Sequence, residues 1–110
     1  MLVIAENMLR KVKLIFPRFS MPSDPKDRAL LVEMWANALS SRMVYPRVVY
    51  EKAFELFSSG ASRDDNPPMP GDILRHCKIA VEQMEVDPFL GPKLKEWRAQ
   101  RFEERESKFR

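Results

Sequence analysis

Apolar residues return at three- and four-residue steps through most of this chain, the spacing of one face of a helix. Ile4, Ala5, Met8, Leu9, Val12, Ile15 and Phe16 mark the first run and predict a helix from Leu2 to Phe16. Pro17 ends it, because the residue before a proline is pushed away from helical angles. Ser23 or Asp24 can cap the next helix, Pro25 suits its first turn, and Asp27 suits the positive helix end. Leu30, Leu31, Met34, Trp35, Ala38 and Leu39 form a wide apolar face, on a helix expected to reach about Ser41 or Arg42. A third helix begins near Pro46 and carries Val49, Tyr50, Ala53, Phe54 and Phe57 on one side. Ser58, Ser59 and Gly60 stop it.

The stretch NPPMPGDIL, Asn66 to Leu74, breaks the pattern with Pro67, Pro68 and Pro70. Proline fixes φ and has no amide donor, so this is neither helix interior nor central strand. It reads as a rigid elbow that ends a three-helix unit and aims the next helix. Pro70 then takes the first position of that helix, with Asp72 in its first turn and Ile73, Leu74, Cys77, Ala80, Val81 and Met84 as its stripe. Asp87 and Pro88 break it. Strong helix formers follow from about Pro92 to Lys108. Val48-Val49-Tyr50 is the nearest approach to a strand, and it lies inside helical spacing. The expected fold is all-α. It comprises a small helical bundle of three to four helices in residues 1–86 and a charged, amphipathic C-terminal helical arm in residues 87–110.

The length of 110 residues fits one modest domain or a small domain with an arm. The net charge of +3 is mildly basic. It aids approach to nucleic acid or an acidic partner without establishing either. The single Cys77 excludes an intrachain disulfide and fits a reduced, cytoplasmic setting. The opening MLVIAENMLRKVKLIF lacks the order of a signal peptide, and no apolar run nears the roughly 18 residues of a membrane span. No membrane partner is expected.

Catalytic parts are missing from the sequence. His76 and Cys77 are adjacent, about 100° apart on a helix, so they do not readily meet as a nucleophile pair. Metal ligands on one helix face need spacings of three or four, and no second His or Cys exists. Asp64-Asp65 reads as a polar turn rather than a metal pair. No GxxxxGK[ST] is present, and the three glycines stand at turns or helix ends, so there is no phosphate cradle. The expectation is a non-enzyme with no catalytic residues, cofactor or metal.

Cations collect on the first helix (Arg10, Lys11, Lys13) and the last (Lys93, Lys95, Arg98, Arg101, Arg105, Lys108, Arg110). Glu96, Glu103, Glu104 and Glu106 dilute the second group, as on a solvated helix. Phosphate contacts favour clustered cations with few acids nearby. Weak, nonspecific nucleic-acid binding is the most this pattern implies. On the last helix Leu90, Leu94, Trp97, Phe102 and Phe109 fall in a sector of roughly 140°. They either dock on the chain's own helices or await a partner groove. Trp97, Arg98, Arg101, Phe102 and Arg105 are the candidate partner-binding residues, since Trp and Arg are enriched among interface anchors.

The order of landmarks adds a family. Phe16-Pro17-x-Phe19 is followed by Trp35-x-x-x-Leu39, then Ala53, then Pro67-Pro68-x-Pro70-x-x-Ile73. This order resembles the helicase loader-inhibitor proteins of bacteriophages of Gram-positive bacteria over about Leu2 to Leu74. The resemblance implies a small, mostly helical, non-enzymatic DNA-replication adaptor in the host cytoplasm. It would bind a replicative DnaB-type hexameric helicase and load it, inhibit it or both. A phage initiator or single-strand binding protein would be a further partner. The alternative is a small basic DNA-binding regulatory protein of phage or bacterial origin. Without the family, each landmark still has a physical job. Pro17 halts a helix, Phe16 and Phe19 pack beside the bend, Trp35 fills a core with Leu39 one turn on, and Ala53 admits a close helix.

Overall fold

The computed structural model describes residues 1–61 and 65–108, and on the last helix side chains as far as Arg101 and at Glu103. Within that span the chain is all-α, with five helices: α1 (Leu2–Ile15), α2 (Pro25–Leu39), α3 (Arg47–Ser59), α4 (Pro70–Glu85) and α5 (Leu90–Lys108). The helix number is thus five, where the sequence suggests a bundle of three to four plus an arm. α1 packs on α2 and α3, and α4 packs on the same two. The first four helices therefore close a ring, α1–α2–α4–α3, in which the backbones of neither diagonal pair pack on each other. α5 packs on α4 alone among the helices. The slab measures 46 × 31 × 18 Å, and its thin direction is about two helix diameters.

The ring encloses one core. α1 supplies Ala5, Met8, Leu9, Val12 and the capping residue Phe16, α2 supplies Trp35, Ala36 and Leu39, and α3 supplies Val49, Tyr50, Ala53 and Phe54. α4 adds Ile73, Cys77, Ala80, Val81 and Met84. Leu94 of α5 joins them at 2% exposure. Leu90 and Trp97 pack against the same core, so these arm residues dock on the chain itself.

Three helix ends depart from the sequence reading. α1 stops at Ile15 rather than Phe16, whose extended backbone turns its ring inward against Phe57 at 5.9 Å. α2 stops at Leu39, short of Ser41. The Ser40 hydroxyl donates to Ala36 O and the Ser41 hydroxyl to Ala38 O, each at 2.8 Å, and these bonds compete with the next helical turn. α5 begins at Leu90, ahead of Pro92, because a proline within the first turn costs no helical bond. The apolar face of α2 is also narrower than expected. Leu30 and Met34 are exposed, each about 140° around the helix from the buried residue five places on, Trp35 and Leu39 respectively.

The proline elbow is structural. Pro68 is fully buried, and Pro67 and Pro70 are half-buried. Met69 N donates to Asp72 Oδ2 at 2.9 Å, closing the start of α4. Arg18 donates to Asn66 Oδ1 at 3.4 Å, which ties the elbow to the bend after Pro17. Phe19 is half-buried against the core beside that bend. Asp64 of the Asp64-Asp65 pair lies outside the described residues.

Candidate partner-binding surface

The surface is built outward from one buried hydroxyl. Tyr50 lies in the apolar stripe of α3 and is fully buried, so its O–H needs a partner inside the protein. It donates to Leu39 O at 3.0 Å and accepts from Tyr45 N at 3.2 Å. The end of α2 and the linker before α3 are thereby pinned to the first turn of α3. Burial raises the Tyr50 phenol above its ordinary value, and Tyr45 is raised for the same reason.

Tyr45 carries the arrangement outward. Its ring meets Tyr50 edge-on at 5.8 Å and stacks on Trp97 at 5.8 Å and 30°. The Arg101 guanidinium lies over the other partner of that stack, 5.6 Å from the Trp97 ring centre. Arg101 Nη1 also donates to Val44 O at 3.0 Å. Arg98 pairs with Glu85 on α4. These groups line a cleft of about 480 Å³ between the linker, α4 and α5, with Met43 and Val81 in its wall and Lys78 and Glu82 at its edge. Its charge is mixed and its apolar part is aromatic.

Three of the five candidate residues, Trp97, Arg98 and Arg101, therefore meet in one place. All three are already engaged by the fold, since Trp97 and Arg101 hold α5 to the linker and Arg98 pairs with Glu85 on α4. The side chains of Phe102 and Arg105 lie outside the described residues. Tyr45 and Val44 are the residues sequence reasoning missed. Tyr45 sits in a turn with no periodicity, and its only signal is a tyrosine close before a predicted buried one.

The other sequence candidates separate. Cys77 is fully buried, and desolvation pushes its thiol up to about 12. His76 faces away from it: Nδ1 is 2.8 Å from Asp72 O, a bond in which the ring nitrogen donates, and the ring meets Phe57 at 5.4 Å. Among the described residues no three His, Cys, Asp or Glu side chains gather as a metal site, and no helix is long and apolar enough to cross a membrane. On α1, Arg10 pairs with Glu6, and Lys11 lies 5.9 Å from the Phe54 ring centre.

Compared with protein-family models, curated proteins and solved structures, the chain matches none.

Proposed function

We propose that this chain is a non-enzymatic adaptor that binds a replicative DnaB-type hexameric helicase and loads or inhibits it. The reading begins from the order of landmarks between Phe16 and Ile73. The observation that carries it into the structure is the convergence of Tyr45, Trp97, Arg98 and Arg101 on one open cleft. Tyr, Trp and Arg are the residue types most enriched among energetic anchors of protein interfaces. The stack and the bond to Val44 O hold Trp97 and Arg101 in place before a partner arrives, which lowers the ordering cost of binding. A partner surface with an apolar edge and both charges would complement this wall.

The mechanism needs no bound nucleotide. An adaptor that binds a ring subunit more tightly in one conformation shifts the hexamer toward it. The DNA-binding alternative draws less support, because Arg98 is spent on Glu85 and Arg101 on a backbone carbonyl rather than left for phosphate. The test is a pull-down of the host replicative helicase with wild type, Trp97→Ala and Arg98→Glu. Both variants are expected to weaken capture by at least about tenfold. Arg98 lies on the exposed side of α5, so R98E keeps the result readable if W97A loosens the fold. Full capture by both folded variants would sink this site, and no capture by wild type would sink the function.

A further inference from the structure

A second cleft adjoins the partner-binding surface and has a different character. It measures about 500 Å³ and lies where the end of α2 and the turn after it meet the first half of α4. Tyr45 and Lys78 stand in the walls of both clefts. Leu74, Arg75 and Lys78 reach the second one from a single face of α4, since three and four residues make one helical turn. Ala38, Arg42 and Tyr45 come from the other side. Three cations therefore line this cleft, and none of its described lining residues is an Asp or Glu.

The neighbouring carboxylates leave two of those cations uncompensated. Asp72 accepts from Met69 N and pairs with Arg75 Nη2, which leaves Arg75 its other guanidinium donors. Glu82 stands at the edge of the partner-binding cleft instead. Among the described residues, Arg42 and Lys78 have no ion pair and no side-chain hydrogen bond, and the Tyr45 hydroxyl has no hydrogen bond either. Arg42 lies near enough to the Tyr45 phenol for its charge to oppose the rise that burial causes. Elsewhere the exposed cations Arg10, Arg47 and Lys52 each pair with a glutamate of their own helix. Here like charges from two elements gather without that compensation, a repulsion that a bound anion relieves.

The kind of anion follows from donors and volume. A phosphate monoester carries about −1.5 to −2 charge at pH 7 and three strong acceptor oxygens. Guanidinium groups fit those oxygens in a fork, and a free phenol hydroxyl adds a donor. The volume falls in the roughly 300–1,000 Å³ range of small organic ligands, so a bare phosphate ion would leave most of it unfilled. Ala38 and Leu74 offer apolar wall to an organic body.

We propose that this cleft binds a phosphate monoester joined to a small organic body. Arg42 and Lys78 take its charge, Arg75 adds its remaining donors, and the Tyr45 hydroxyl donates to a phosphate oxygen. A free phosphorylated molecule and the phosphorylated end of a DNA strand present this same group. The site goes beyond the helicase reading, and its test contains no helicase.

The test is an NMR titration of the isotope-labelled full chain with phenyl phosphate, with phenol, and with a thymidine octamer carrying or lacking a terminal phosphate. Phenyl phosphate is expected to give saturating shifts at the amides of Tyr45, Gly71 and Lys78, and phenol none. Arg42→Glu and Lys78→Glu should each weaken phenyl phosphate about tenfold or more. Both residues are exposed, so the melting temperature should hold. Lys26→Glu makes the same change in net charge at an exposed position outside the cleft, and should weaken binding less than about threefold. Shifts from the phosphorylated octamer alone uphold the site and extend it to a DNA end. No shifts from either octamer uphold it for small phosphates. The site is overturned by a lack of saturation with phenyl phosphate, by equal shifts from both octamers, or by K26E acting as strongly as R42E and K78E.

Discussion

Tyr50 and Cys77 are both fully buried, yet they hold the core in different ways. The Tyr50 hydroxyl serves a carbonyl and an amide that have no water to turn to. Tyr50→Phe leaves Leu39 O and Tyr45 N with that bond broken, and should cost about 1–3 kcal/mol in a urea melt. An unchanged midpoint would mean that water replaces the hydroxyl. Cys77 makes its contribution by staying protonated. Burial raises its thiol from 9.0 to about 12, so the folded chain keeps the proton over a range where the unfolded chain releases it. That stability is fully present below about pH 9 and is lost as pH rises from there toward 12. The Cys77→Ala chain should therefore show a shallower alkaline loss of urea midpoint than wild type. Parallel curves would place the loss on other groups. The same burial should keep the native thiol unreactive toward iodoacetamide, because the thiolate is the nucleophile.

Among the elements, the junction of α4 and α5 depends on the absence of a side chain. In an ordinary helix Gly→Ala gains about 1 kcal/mol. At Gly91 the new methyl would meet the Glu85 carbonyl, so Gly91→Ala should instead destabilise by about 1–3 kcal/mol. A thermal melt that moves upward would show that α5 can shift aside freely. Asp87 holds the same junction. The amides of Leu90 and Phe89 hold its carboxyl below the ordinary value. Its stabilisation is therefore present above the ordinary carboxylate range and is lost as pH falls through the lowered value. The helices themselves were legible because their signals are local. Asp24 does accept from Lys26 N, Pro70 does open α4, and Asp72 does reach back to Met69. The Asp87 cap was also local but was masked, since Asp-Pro reads first as a helix breaker. The candidate site was legible only in part. Trp97, Arg98 and Arg101 stand out by residue type on a predicted helix face. Their partners do not, because the Arg101 bond to Val44 O spans 57 residues and a turn has no period to announce which face it shows.

Over the whole molecule the four-helix ring and α5 are held to different degrees. Every ring helix has two or more helical neighbours, whereas α5 has α4, the Tyr45 stack and one bond to Val44. Regions with fewer buried contacts open at lower free energy than the core. In native-state hydrogen exchange the amides of α5 should exchange well before those of α1 and α4. Equal protection throughout would make α5 part of a single cooperative unit. The ring has a consequence for how the chain is made. α4 bridges α2 and α3, whose backbones do not pack on each other, so the ring cannot close until α4 has left the ribosome. Until then the growing chain carries Trp35, Leu39 and Phe54 on open faces, the kind of surface that draws chaperones and promotes aggregation. α4 is therefore the keystone of biosynthesis as well as of the fold. A stall or truncation that spares α1 to α3 but removes α4 should yield a sticky chain rather than a smaller folded one.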